Sequence, residues 1–164
     1  MGLFSFLKNA GAKLFGMEAE KNDAAEAVKD AAAAAEALRQ QRISALNAVV
    51  NASGICISDL SIDLQDDTVT VYGSAETVAD KEKVVLMLGN THGIATVDDR
   101  MSVVAPEPES DFYVVKSGDS LSKIAKEFYG DMMKYPVIFE ANKPMLTDPD
   151  LIYPGQVLRI PKLG

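Results

Sequence analysis

The sequence predicts an α+β protein: two small domains in series, preceded by a helical amino-terminal arm. Three observations lead there. Short runs such as Leu60-Ile62-Leu64 and Val69-Val71 alternate apolar with polar residues, as half-buried strands do. Other stretches repeat their apolar residues at helical spacing, Leu121, Ile124, Ala125 and Phe128 being the clearest. Between the two groups lies Ala105-Pro106-Glu107-Pro108-Glu109-Ser110, a Pro-rich acidic linker. The 164 residues suffice for two such units. The expected division is an arm over 1–22, an Ala-rich helix with an α-β-β-α-β domain over 23–104, a linker over 105–111 and a β-α-α-β domain over 112–164.

The last unit is the easiest to read. Phe112 to Val115 is a β-branched and aromatic run, and reads as a strand. Ser117-Gly118 turns the chain, and Asp119 or Ser120 can cap the helix that follows. Gly130 stops that helix. Pro136 suits the first turn of a second helix carrying Val137, Ile138, Phe139 and Ala141. Tyr153-Pro154-Gly155-Gln156 has the Pro-Gly centre of a type II turn, and Val157 to Ile160 is the returning strand.

In these residues the stretch Tyr113 to Pro161 resembles a LysM domain along its whole length. The matching segments are Tyr113 to Leu121, Ile124-Ala125, Tyr129-Gly130, Ala141-Asn142 and Ile152 to Pro161. LysM domains commonly bind N-acetylglucosamine-containing glycans in a groove between two loops. The resemblance implies such loops at Gly118, Asp119, Ser120 and Leu121, and at Asp150, Leu151, Ile152 and Tyr153. Gly118, Pro154 and Gly155 also serve as turn residues, and Leu121 as core, whatever the domain binds.

Charge is unevenly spread. The net charge is -8, yet residues 111–164 hold seven acidic and seven basic side chains, so residues 1–110 carry the whole excess. An acidic unit repels nucleic acid and anionic lipid, which argues against both as main partners. Cys56 is the sole cysteine, so no disulfide framework is expected, and a reducing compartment fits. Its neighbours Ile55 and Ile57 suggest small core filler rather than a nucleophile. No run approaches the ~20 apolar residues of a membrane span. Lys8 and Lys13 interrupt the amino-terminal apolar residues, so no secretory signal is expected, and the cytoplasm is the expected location.

In the arm, Leu3, Leu7, Ala10 and Leu14 fall on one side of a helix, with Gly11 a weak point. Docking on the following domain is the expected role; an interfacial membrane anchor made of Leu3, Phe4, Phe6, Leu7, Leu14 and Phe15 is the rival. Residues 17–40 are rich in Ala and Glu, and a helix is expected from about Asp23 to Ala52, closed by Ser53-Gly54. Ile43, Leu46 and Val50 give it a core-facing stripe. A hairpin follows, with Asp66-Asp67 between its strands. Glu76 to Leu88 is the second helix, with Val78, Val85 and Leu88 inward. Gly89-Asn90-Thr91-His92-Gly93 is a turn, His92 being read as an exposed turn residue, and Val97, Met101 and Val103 alternate along a third strand.

With Gly73 ending the second strand and Gly93 to Val97 opening the third, Ile43 to Val104 resembles a BON domain. Met-Gly-Leu-Phe, then BON, then a carboxy-terminal LysM is similar to the small cytoplasmic bacterial potassium-binding proteins. The resemblance implies potassium sensing, with K+ as the ligand; a monomer is expected. Potassium is large and singly charged, so neutral backbone carbonyls suit it, whereas carboxylates favour calcium or magnesium. Asp66-Asp67 and Asp98-Asp99 are therefore expected to be solvated surface. Helix carboxy-termini leave carbonyls without intrahelical partners at the negative end of the dipole. Two such ends are candidates, Lys8 to Ala12 and Gly89 to Ile94, whose glycines permit φ > 0. The expected ion ligands are the backbone oxygens of Leu7, Ala10, Ala12, Gly89, Thr91 and Ile94.

Two rival functions remain at this point: an envelope adaptor that binds peptidoglycan-type glycan through LysM, and a membrane-surface protein held by the arm. An enzyme is not expected, since His92 is the only histidine and no phosphate loop or metal-ligand spacing appears.

Overall fold

A computed structural model describes residues 2–6 and 28–163. In chain order its elements are β1 (Gly2–Ser5), α1 (Val28–Ala52), β2 (Ile57–Gln65), β3 (Thr68–Thr77), α2 (Val78–Gly89), β4 (Thr96–Ala105), β5 (Asp111–Val114), α3 (Leu121–Tyr129), a 3-10 turn (Met132–Lys134), α4 (Tyr135–Ala141) and β6 (Val157–Ile160).

One sheet has the order β1-β4-β3-β2. β2 and β3 form the expected hairpin, with Gln65 opposite Thr68 and Asp66 at φ 54° in the turn. β3 and β4 are parallel, joined through α2 as a parallel pair requires. Thr77 caps α2, its side chain accepting from Asp80 N at 3.1 Å. α2 lies on β3 and β4 and also touches α1 and β6. Leu46, Val50, Val85 and Leu88 are buried as the helical spacing predicts. α1 ends at Ala52 as expected; its expected start at Asp23 lies outside the described residues.

Gly73 does not end β3, which runs on to Thr77. It faces an irregularity in β2 between Ser58 and Ser61, and it has φ +147°. A Cβ there would lie 2.5 Å from Ile57 Cγ2 and 2.9 Å from Ser58 O, so glycine is needed for close approach at a bulge rather than for termination.

The second correction concerns the arm. Gly2–Ser5 is not helical but a strand, antiparallel to β4 with Leu3 opposite Asp98 and Phe4 opposite Val97. Leu3, Phe4 and Ser5 offered helical spacing only in company with residues further on. Locally they meet an open strand edge, and pairing with it satisfies their backbone. The arm thus docks on the middle domain. The rest of the expected arm, residues 7–22, lies outside the described residues.

The last domain is the expected β-α-α-β unit, β5 and β6 pairing antiparallel with Tyr113 opposite Leu158. Ser120, not Asp119, caps α3, and Gly130 ends it at φ +72°. Gln156 N donates to Tyr153 O at 3.1 Å across the Pro-Gly turn. Buried residues of both domains, from Leu46 to Ile160, make one apolar cluster. Cys56 is not part of it: it is exposed just before β2, while Ile55 and Ile57 on either side are partly buried.

Candidate functional site

Three segments meet around the carboxy-terminal end of α2. The first is the bend itself. Asn90 N donates to Leu86 O at 2.9 Å, Thr91 N to Leu88 O at 3.2 Å and Thr91 Oγ1 to Met87 O at 2.8 Å. The carbonyls of Leu86, Met87 and Leu88 are thereby capped. Ile94 N donates to Thr91 O at 3.2 Å, closing the bend, and Gly93 sits at φ +84°. Gly93 O accepts from Arg42 Nη2 at 3.2 Å, and Arg42 Nη1 reaches Asp66 O at the same distance. Arg42 on α1 thus ties the bend to the β2–β3 turn. Among the described residues the carbonyls of Gly89 and Ile94 accept no hydrogen bond. Thr91 O accepts one, and a carbonyl oxygen can take a second partner.

The second segment is the arm. Past β1, Phe6 N donates to Ala95 O at 2.6 Å. The Phe6 ring lies on Gly89 so closely that a Cβ there would be 2.1 Å from it. Gly89 is therefore required for a reason other than the one expected. It does not have positive φ; it clears space for Phe6. The described part of the arm therefore ends against the last residue of α2. Leu7, Ala10 and Ala12 themselves lie outside the described residues.

The third segment is β6 of the last domain. Asn90, 1 % exposed, bonds Val157 in both directions: Nδ2 donates to Val157 O at 3.0 Å and Oδ1 accepts from Val157 N at 2.9 Å. Nearer the start of α2, Glu82 is 4 % exposed and holds two groups of the linker and last domain. Its Oε1 accepts from Ser110 N at 2.7 Å, and its Oε2 pairs with Arg159. Phe4 of the arm stacks edge-on with Phe112 at 5.2 Å. Arm, middle domain and last domain are joined at α2.

One acidic expectation and the reading of His92 need correction. Asp99 is not solvated surface but buried at 1 % exposure; its Oδ1 accepts from Met101 N at 3.0 Å and its Oδ2 lies 3.0 Å from Lys81 Nζ, an ion pair lacking hydrogen-bond alignment. Alternation along β4 could have shown this, since Asp99 shares a face with the buried Val97 and Met101. Asp98 stays partly exposed and pairs with Arg100. His92 is half-buried rather than an exposed turn residue, with its Nδ1 buried and without a hydrogen-bond partner among the described residues.

The LysM loops are differently placed. Gly118 and Leu151 are exposed, Leu121 is core and Tyr153 keeps its hydroxyl buried. Gly118 O accepts from Lys123 Nζ at 2.7 Å, and Ser120 is spent on capping α3. Asp119 Oδ2 accepts from Tyr113 OH at 2.8 Å and from Lys116 N at 2.9 Å. The Lys116 N–H bond is the main reason that the Asp119 carboxyl sits below its ordinary range. Burial first, and Asp119 second, push Tyr113 up to about 12; burial alone does the same to Tyr153. Asp150 N turns back to Asp148 Oδ1, and Ile152 is partly buried. Sequence reasoning missed Asn90, Phe6, Glu82 and Arg42. Glu82 alone left a signal, a charge set on the stripe of Val78 and Val85.

Known proteins agree with this two-domain layout. The BON domain family matches residues 39–105 and the LysM domain family residues 113–161. The potassium binding protein Kbp of Escherichia coli is 44 % identical over 166 aligned positions, covering 99 % of each chain. The chain belongs to the family of that protein. Other relatives share a segment alone. An uncharacterized protein of Deinococcus radiodurans is 59 % identical over 49 residues, 30 % of this chain and 19 % of its own. An esterase of Mycobacterium tuberculosis is 45 % identical over 53 residues, 32 % of this chain and 11 % of its own. Stretches of that length match a LysM-sized module and leave out most of the esterase. No helix among the described residues is long and apolar enough to cross a membrane.

Proposed function

We propose that this chain binds potassium ion and acts as a cytoplasmic sensor of it, as a binding protein and not an enzyme. The ion ligands are the backbone oxygens of Gly89, Thr91 and Ile94 from the bend and of Leu7, Ala10 and Ala12 from the arm. The observation that carries the reading is the seat of Phe6 on Gly89, which brings the residue before Leu7 to the end of α2. Identity with a named potassium binding protein along nearly the whole chain supports it. The donor set fits the ion: the oxygens are neutral, and two of the three in the bend accept no hydrogen bond among the described residues.

The chain's own residues do the rest. Gly93 at positive φ reverses the backbone after α2, and Arg42 holds Gly93 O. β1 fixes the approach of the arm on β4, and Phe6 locks its end. A ligand that binds only this docked arrangement stabilises it, by about 2.7 kcal/mol at a hundredfold excess over Kd. The docked fraction then rises with ion concentration, which is the response a sensor needs.

Calorimetry of metal-free protein tests this. Potassium is expected to give saturable heat, with sodium and calcium binding more weakly. Tighter binding of calcium or sodium would overturn the neutral-carbonyl site.

A further inference from the structure

A cavity of about 210 Å³ lies beneath the arm, walled by β1, the first turns of α2, β4 and the linker. Its shape follows from the sequence. Alternation along β4 turns Asp99 inward. The residue opposite it on β1 is Gly2, which has no side chain to fill the space beside the carboxylate. On α2, Val78, Lys81 and Val85 recur at helical spacing, which sets a cation among apolar neighbours. Phe4 and Phe112, stacked edge-on, close the apolar side.

Two opposite charges face this space with bonding capacity left over. Asp99 is 1 % exposed, and its Oδ2 accepts no hydrogen bond among the described residues. Lys81 Nζ lies 3.0 Å from that oxygen, its side chain 16 % exposed, and donates no hydrogen bond among the described residues. The other acids of the cavity are differently placed. Both Glu82 oxygens are taken, by Ser110 N and Arg159, and Glu109 is exposed at the rim. An ammonium offers three donors and a carboxylate oxygen two lone pairs, so Lys81 and Asp99 can each hold a further group. Leaving such groups buried and unmet is costly.

We propose that this cavity binds a small zwitterion, a free amino acid with a short apolar side chain. The ligand's carboxylate accepts from Lys81 Nζ, its ammonium donates to Asp99 Oδ2, and its side chain lies against Phe4, Val78, Val85 and Phe112. A simple anion would leave Asp99 without a donor, and a simple cation would add a second positive charge beside Lys81. A zwitterion answers both charges and leaves the net charge of the cavity as it was. None of the proposed potassium ligands takes part, so the inference stands apart from the potassium reading.

Amide NMR of the full chain provides the test. The chain is titrated at constant ionic strength with L-valine, with isovalerate, which lacks the ammonium, and with isobutylamine, which lacks the carboxylate. L-Valine is expected to give saturable shifts at Gly2, Lys81, Asp99 and Phe112. Each analogue is expected to bind at least about tenfold more weakly, having lost one charge-assisted hydrogen bond. Lys81→Met combined with Asp99→Asn removes both charges at nearly constant shape, so this double variant is expected to fold and to lose the L-valine shifts. Should it fail to fold, the ranking of the three ligands on the unaltered chain decides. Equal binding of L-valine and either analogue, or unaltered L-valine binding in the folded double variant, overturns the zwitterion site. No shift at these four residues with any of the three leaves a cavity that holds water alone, and overturns it too.

Discussion

The bend after α2 and the Gly118 loop of the LysM domain are both glycine-bearing turns, yet their polar groups are in opposite states. In the bend, the carbonyls of Gly89 and Ile94 accept no hydrogen bond among the described residues. In the Gly118 loop, Asp119 Oδ2 accepts from Tyr113 and Lys116, Gly118 O is held by Lys123, and Ser120 caps its own helix. A loop that has satisfied itself must break bonds to take a ligand, whereas oxygens held in place without donors need not. The difference supports the bend as the proposed ion site.

Both regions depend on one frame, and the largest expected effect comes from breaking it. Glu82→Ala leaves Arg159 buried without its partner and Ser110 N without an acceptor. Urea denaturation should show a loss of about 3–5 kcal/mol, the usual result of removing one member of a buried pair. Next is Gly89→Ala, which acts where the arm meets the bend. The new methyl group occupies the place of the Phe6 ring. Overpacking should cost about 1–3 kcal/mol. Potassium affinity should fall about tenfold by calorimetry, equivalent to about 1.4 kcal/mol. A Phe6→Ala, Gly89→Ala double variant should regain stability without regaining affinity.

The smallest effect is expected in the LysM loops. Asp119→Ala should cost about 0.5–1.5 kcal/mol, the net value of ordinary hydrogen bonds, with potassium affinity unchanged. The pH dependence has a definite sign. The Asp119 carboxyl is held low, so its contribution is present at neutral pH and is lost as pH falls below the ordinary value of 3.8. Tyr113 is held high, so its contribution persists up to pH 10 and is lost as pH rises toward about 12. Tyrosinate absorbance should show Tyr113 and Tyr153 ionising at about 12, and Asp119→Ala should lower the Tyr113 midpoint alone.

Much of this architecture was legible because its elements are locally consistent. The stripe of Leu121, Ile124 and Ala125, the cap at Ser120 and the stop at Gly130 each point to the same helix. The bend was legible as well, since a helix end followed by two glycines limits what the backbone can do. What escaped sequence reasoning depends on partners distant in the chain. Gly2–Ser5 becomes a strand because β4 presents an open edge more than ninety residues away in sequence. Gly89 is small for Phe6, and Asn90 is amidic for Val157; neither requirement exists until three segments meet. Asp99 was misplaced because two adjacent acids suggest solvent, when strand alternation sends one outward and the other in.

The most direct test of the contrast is a potassium titration followed by carbonyl carbon NMR. The account predicts saturable shifts at Gly89, Thr91 and Ile94, with Gly118 and Asp150 unmoved. Shifts confined to Gly118 to Leu121 and Asp150 to Tyr153, or none in the bend at saturating potassium, would contradict it.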